Sequence, residues 1–295
     1  MPEIFGIPTS ALFGQLLIGL INGSFYALLS LGLAVIFGLL NIINFTHGAQ
    51  YMMGAFCAYL LVNKLGLGYW WSLAIAPLAV GITGVVIERT MLKQLYKLDH
   101  LYGLLLTFGL ALIIEGLFRN EYGSSGQPYP MPQELTGGRN LGFMFLPTYR
   151  AWVIVASAAV CLGTWFVIEK TRLGAYLRAA TENPQLVQAF GINVPRMITL
   201  TYGFGVALAA FAGVMAAPIY QVSPQMGSSL IIVVFAVVVI GGMGSIMGSI
   251  LTGFGLGVIE GLTKVFYPEA SNTVIFIIMA IVLMFKPAGL FGREK

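Results

Sequence analysis

At 295 residues, 58% hydrophobic and 9% charged, the chain is far too apolar for a soluble protein, which carries roughly 25% charged residues. Its formal charge of +4 does not mark a nucleic-acid binder, because the Lys and Arg are scattered through the gaps between long apolar runs. Two Cys, both inside apolar runs, and two His form no disulfide, redox or metal pattern.

A membrane crossing needs about 20 mostly apolar residues, and the first such run is Ala11–Leu39. No Lys or Arg occurs before Lys64, which predicts an N-terminus outside and, without a positive leader region, no cleaved signal peptide. The first span then both targets and anchors the chain. Next comes a polar break, Asn41-Ile-Ile-Asn-Phe-Thr-His-Gly48, followed by a short run, Gly48–Val62. Asn41, Asn44, Thr46, His47 and Gln50 put five hydrogen-bonding side chains into ten residues. Polar groups at membrane depth are costly unless used, and broken backbone there must line a cavity or be buried in protein. These five are the candidates for a translocation path; the competing reading is a loop at the water interface.

Trp70–Met91 follows, with Glu88 and Arg89 as an inner-boundary anchor, and then Leu101–Phe118. Near its end Glu115 has Arg119 at i+4, a spacing that predicts a solvated helical pair. The gap Arg119–Arg150 contains Glu121–Pro132, rich in Gly, Pro and Tyr. After Ala151–Ile168 comes the polar insert Thr171–Arg196, which predicts two short helices. Ala175–Glu182 is built of good helix formers. Asn183 is a favoured N-cap, Pro184 a favoured first helical residue, Gln185–Phe190 the second helix and Gly191 its C′ residue. Leu186, Val187 and Phe190 form an apolar stripe, with Arg178 and Glu182 at its rim. A capped knob of this kind is a docking shape.

Met197–Ala217 leads into a second polar break ending at Gly227, then a short run, Leu230–Gly241. The tract Gly241–Gly257 is no phosphate loop, since no Lys-Ser/Thr follows its glycines. Its small-xxx-small spacings, Gly244 with Gly248 and Gly253 with Gly257, predict close helix packing. Gly248–Phe266 carries Glu260 with Lys264 at i+4, a second expected solvated pair, and Thr273–Phe285 is the last span.

The expected fold is all-α, a polytopic membrane protein of eight or nine segments forming one domain over residues 1–295. Helix, break, Gly and helix occur once in each half, and the halves would cross in opposite senses around a cytoplasmic segment at 170–196, as in transporters built from inverted repeats. With the insert placed inside, ten Lys/Arg fall inside and five outside, the positive-inside asymmetry.

Three stretches carry a family resemblance: Asn22-Gly-Ser-Phe-Tyr-Ala-Leu with Asn41–Gly48, Gly174-Ala-Tyr-Leu-Arg-Ala-Ala-Thr-Glu-Asn-Pro with Ala189-Phe-Gly-Ile-Asn193, and Ile240-Gly-Gly-Met-Gly-Ser-Ile-Met-Gly248. In this order, over nearly the whole chain, they resemble the permease subunits of bacterial ABC importers of the branched-chain amino acid (Liv) type. The resemblance implies a multi-pass protein of the bacterial inner membrane, surrounded by lipid and without a nucleic-acid partner. It implies a second, related permease, as a heterodimer, two cytoplasmic ATP-binding subunits and a periplasmic solute-binding protein. Gly174–Asn193 would be the cytoplasmic coupling segment, and ATP would bind only to partner subunits. The longer Glu-Ala-Ala loop motif of other importers is absent, and Glu121–Pro132 is the stretch expected to meet the binding protein. The expected function is therefore half of a translocation path for a small polar or carboxylate solute, with no catalytic residue, metal or cofactor in this chain. The rival is a stand-alone channel or facilitator, which would need no docking knob. A membrane enzyme would need paired carboxylates or a His/Asp set, and none is found.

Overall fold

From Thr9 to Leu40 the chain has neither Pro nor charge, and it forms one 32-residue helix, α1, about 48 Å long. The structure, a computed structural model, describes residues 3–4, 7–40, 42–96, 98–142 and 144–292. Asn41, and Lys97, Arg293 and Lys295 of the inside charge count, lie outside the described residues.

Helix α2 (Thr46–Leu65) ends on Gly66 with φ 65. Helix α3 (Tyr69–Ile87) passes through a π-helical turn, Glu88–Leu92, into α4 (Lys93–Leu95). Asp99 caps α5 (His100–Tyr122), accepting from the Leu101 N–H at 2.9 Å. Then come α6 (Thr148–Lys170), α7 (Arg172–Glu182), α8 (Pro184–Ala189) and α9 (Val194–Ala216). The chain ends with α10 (Ser228–Gly241), α11 (Ile246–Phe266) and α12 (Val274–Phe285). The all-helical expectation needs one small correction. Two antiparallel hairpins, β1 (Glu3–Ile4) with β2 (Ile7–Pro8) and β3 (Gly138–Asn140) with β4 (Phe145–Pro147), lie before α1 and between α5 and α6.

Among the described residues six helical stretches are long and apolar enough to cross a membrane: Thr9–Gly38, Tyr69–Leu95, His100–Tyr122, Thr148–Lys170, Val194–Ala216 and Ile246–Phe266. Helices α10 and α12 are apolar but shorter. The chain is therefore a multi-pass, mainly helical membrane protein.

The core is built on α1. Antiparallel to it, α11 brings Gly257 against Gly19 and Gly23 and Gly253 against Ala27, and the Ser30 hydroxyl donates to the Ser249 carbonyl at 3.2 Å. Backbones this close need residues without side-chain bulk, which is how helices associate in lipid where no hydrophobic force drives them. Of the other two candidate packing glycines, Gly244 lies in the α10–α11 turn facing Gly38, and Gly248 faces Gly241. Helix α9 fills the other side of α1, with Gly205 against Gly32 and Ile36, and also packs on α2 and α3. By contrast α5 shows Leu101, Leu105, Leu112 and Leu117 at 55% exposure or more, an apolar surface suited to lipid.

Candidate functional site

The first polar break is buried inside the helix bundle. His47, in the first turn of α2, reaches the Leu29 carbonyl through Nε2 at 3.0 Å and lies beside Gly32. Gly32 in turn is level with Gly205, near the middle of α9. After α1 ends, the chain thus climbs back past eight to eleven residues of it, about 12–16 Å at 1.5 Å per residue, before α2 begins. Backbone opened at such depth needs partners inside the protein, and α5 supplies them. The fully buried Thr107 accepts from the Phe45 N–H at 3.2 Å and stands 3.1 Å from the Ile43 carbonyl. Its own carbonyl accepts from the Thr46 hydroxyl at 2.8 Å.

Asn44, Thr46, His47 and Gln50 are all fully buried. Asn44 Nδ2 donates to Gln50 Oε1 at 3.2 Å, while Asn44 Oδ1, His47 Nδ1 and Gln50 Nε2 have no partner among the described residues. Four of the five candidate residues are thus buried, Asn44 and Gln50 bonded to each other, Thr46 to α5 and His47 to α1; the fifth, Asn41, lies outside the described residues.

The second break, Ala217–Gly227, starts α10 at the same depth. Gly227 and Gly48 are in backbone contact, and a Cβ on Gly48 would stand 2.6 Å from the Gly227 carbonyl oxygen. The starts of α2 and α10 therefore touch. Beside this junction is a cavity of about 360 Å³ between α1, α2, the second break and α10, with Asn22, Tyr26, Tyr51 and Tyr220 in its wall.

Behind that wall lies Glu260, and here the expected solvated pair needs correction. Lys264 Nζ does lie 2.5 Å from Glu260 Oε1, but Glu260 is 6% exposed. The Tyr26 hydroxyl donates to Oε2 at 2.7 Å and Asn22 Nδ2 to Oε1 at 3.2 Å. Asn22 Oδ1 accepts from the Tyr220 hydroxyl at 2.7 Å. The Glu115–Arg119 pair does sit at a surface, with the Arg side chain 51% exposed. Glu88, expected at the inner boundary, has its carboxylate held inside the protein. It is 1% exposed and takes hydrogen bonds from Tyr96 at 2.5 Å and Thr199 at 2.7 Å, bracing α3 against α9.

The polar insert has the expected caps. Asn183 Oδ1 accepts from the Leu186 N–H at 3.0 Å, Pro184 opens α8, and Gly191 has φ 84. The first insert helix starts at Arg172, three residues earlier than expected. The apolar stripe is split. Val187 is 6% exposed, packed with Ala180 and Val194, whereas Leu186 and Phe190 are 55% and 78% exposed. The three-residue contact surface is thus a two-residue surface with Val187 as its mount. Arg178 turns back to the end of α6, 3.2 Å from both the Ile168 carbonyl and Glu169; Glu182 is exposed.

Sequence reasoning missed Thr107 and the Tyr220–Asn22–Glu260–Tyr26 chain. Asn22 was visible as a polar residue inside an unbroken span, but its partner is 238 positions away.

The family model described as branched-chain amino acid transport system / permease component matches residues 15–283. The high-affinity branched-chain amino acid transport system permease protein BraD of Pseudomonas aeruginosa is 30% identical, over 100% of this chain and 99% of its own length. LivH of Escherichia coli is 29% identical over 95% of this chain and 96% of its own, and LivM of the same organism 29% over 92% and 68%. No solved structure matches the chain.

Proposed function

The chain belongs to the permease family of branched-chain amino acid transport systems, and from that premise we propose that it is the inner-membrane permease subunit of an ATP-driven amino-acid importer. It pairs with a second, related permease, receives solute from a periplasmic binding protein, and is moved by two cytoplasmic ATP-binding subunits that hold all the nucleotide. Nine segments, α1, α2, α3, α5, α6 and α9 to α12, then run alternately, with the N-terminus outside and α7–α8 inside. In that topology α1–α2 and α9–α10 are inverted repeats, each a long helix, a break and a second helix begun at the membrane midplane. Their contact at Gly48 and Gly227 supports this arrangement.

The observation that carries the ATP-driven reading is Phe190. Two large apolar side chains, Leu186 and Phe190, stand in the open on a helix held by an Asn183 cap at one end and Gly191 at the other. A groove on an ATP-binding subunit would cover them, and buried apolar anchors carry most of such a contact. A stand-alone channel leaves them uncovered. A push on α8 passes to α9 through Val187 and Val194, and to α6 through Arg178. Since α9 leads into the second break, the motion reaches the Gly48–Gly227 junction.

The test is co-purification and ATPase measurement of the reconstituted complex. Phe190→Ala is expected to weaken association with the ATP-binding subunits, or uncouple hydrolysis from uptake, by about 1–3 kcal/mol of contact energy. Gly191→Val acts similarly by straining the left-handed cap. Parent-like coupling in both variants returns the insert to an ordinary loop.

A further inference from the structure

We propose that the cleft between the end of α3 and the start of α9 binds the phosphate headgroup of an anionic phospholipid in the inner leaflet. The cleft encloses about 420 Å³. The inference rests on the proposed topology for the choice of leaflet, and on charge, depth and the order of side chains for the rest.

Arg89 and Lys93 line the cleft from one side and Arg196, on α9, from the other. All three are exposed, and none has an ion pair among the described residues. Like charges gathered in one cleft repel. Arg196 also stands in the first turn of α9, which holds no acidic residue and where a helix end disfavours a cation. An anion relieves both costs. The carboxylate in the cleft, Glu88, is 1% exposed and already engaged: Oε1 accepts from Tyr96 at 2.5 Å and Oε2 from Thr199 at 2.7 Å. Three cations against one carboxylate leave positive charge in excess. Two of the three are Arg, whose planar fork matches the paired oxygens of a phosphate.

The depth is that of a headgroup. Trp70 and Trp71, at the start of α3, are 43% and 64% exposed, the place of an interfacial aromatic belt. From Trp70, Arg89 and Lys93 lie about 28 and 34 Å farther along the helix at 1.5 Å per residue. The hydrocarbon core is about 30 Å thick, so these cations reach the opposite boundary. Basic clefts between spans on the cytoplasmic side are where anionic headgroups bind.

The order of side chains is that of a lipid. Ile82 and Val86 precede Arg89 and Lys93 at helical spacing on one face, and both are more than half exposed. An acyl chain laid on Ile82 and Val86 brings its phosphate to Arg89 and Lys93. A free phosphate or an acidic protein segment has no use for the apolar half of that face. The turn carrying Glu88 and Arg89 is π-helical, a form frequent at functional sites. A lipid held there braces α3 against α9 beside the Glu88–Thr199 contact.

The test uses the complete transporter, both permeases with their ATP-binding subunits, in mild detergent. It is titrated with phosphatidylglycerol and, separately, with phosphatidylcholine of the same acyl chains, and native mass spectrometry counts the lipids retained. Each Lys or Arg near an anionic headgroup contributes about fivefold, so Arg89→Gln/Lys93→Gln/Arg196→Gln is expected to weaken phosphatidylglycerol binding at this site about a hundredfold. The three residues are exposed, so the fold is retained. Lys170→Gln/Arg172→Gln/Lys286→Gln removes the same charge elsewhere on the inside and should keep the parent's lipid count. Equal loss in both triple variants, or phosphatidylcholine retained as well as phosphatidylglycerol, overturns the site. Displacement of the lipid by excess inorganic phosphate overturns the choice of a lipid. A cleft variant that keeps its lipid but sheds its ATP-binding subunits overturns the proposal in favour of a protein contact. If the parent does not assemble with ATP-binding subunits, the permease reading fails, and the same counts on this chain by itself decide the lipid site.

Discussion

Replacing Glu260 by Gln should cost the protein far more than the i,i+4 spacing of Glu260 and Lys264 suggests. An exposed ion pair contributes about 0–1 kcal/mol. Glu260, however, is 6% exposed and accepts from three groups, Tyr26, Asn22 and Lys264. Gln keeps one carbonyl oxygen for Tyr26. Its amide then meets both Asn22 Nδ2 and Lys264 Nζ, donor against donor, unless it flips and makes the Tyr26 hydroxyl accept instead of donate; in either orientation the cation loses its counter-charge. Breaking a buried pair from one side costs about 3–5 kcal/mol. Because the Lys264 side chain is 30% exposed and can turn partly to water, about 3 kcal/mol is the better figure. At about 2–4 °C per kcal/mol for proteins somewhat smaller than this one, the apparent Tm should fall by roughly 6–12 °C. Tryptophan fluorescence of the purified protein in detergent reads this directly. Glu115→Gln is the control: its partner Arg119 is 51% exposed and Glu115 15%, so Tm should shift by roughly 4 °C or less. Lys264→Met should destabilise by itself, and the Glu260→Gln/Lys264→Met double variant should lose about 1–2 kcal/mol less than the sum of the two. Equal, small shifts for Glu260→Gln and Glu115→Gln would refute the reasoning, because Glu260 would then behave as a solvated group.

Asn183→Ala removes the α8 cap and should cost that helix about 1 kcal/mol; hydrogen exchange of the 185–190 amides should rise several-fold, with the rest of the chain unchanged. Gly227→Ala drives a methyl into the Gly48 backbone and should destabilise by about 1–3 kcal/mol, seen as a lower Tm, whereas Gly163→Ala, where a Cβ meets nothing within 4 Å, should be silent. Asn44→Leu should reduce uptake while leaving membrane insertion intact, and normal uptake would remove the first break from the path. Cysteines placed at Lys93 and Arg139 should label from opposite sides of the membrane, and labelling from one side would break the proposed topology.

Local chemistry was legible in the sequence. The predicted runs fall on helices within a few residues, because a membrane span is written in uninterrupted apolar sequence and the caps of α8 in adjacent residues. Distant pairing was not. Glu260 read as solvated because Lys264 is four residues away while Asn22 and Tyr26 are more than 230. Val187 looked like a contact residue because helical spacing groups it with Leu186 and Phe190. Its burial depends on Ala180 and Val194, which a stripe pattern within α8 does not include. The depth of the first break was hidden for a similar reason, since Thr107, 61 positions beyond Thr46, supplies the partners that let bare backbone sit there.

The glycine seam between α1 and α11 also bears on how the protein is made. The main packing partner of helix α1 follows it from the ribosome more than two hundred residues later, at roughly 5–20 residues per second. For many seconds α1 lies in the bilayer with Gly19, Gly23, Asn22 and Tyr26 uncovered, stable there because it carries no charge. The α1–α11 seam therefore closes late, after the helices between them have been made. A chain cut short before residue 246 would leave an intact first helix with an unmated seam, the kind of surface by which a membrane protease can tell an unfinished permease from a finished one.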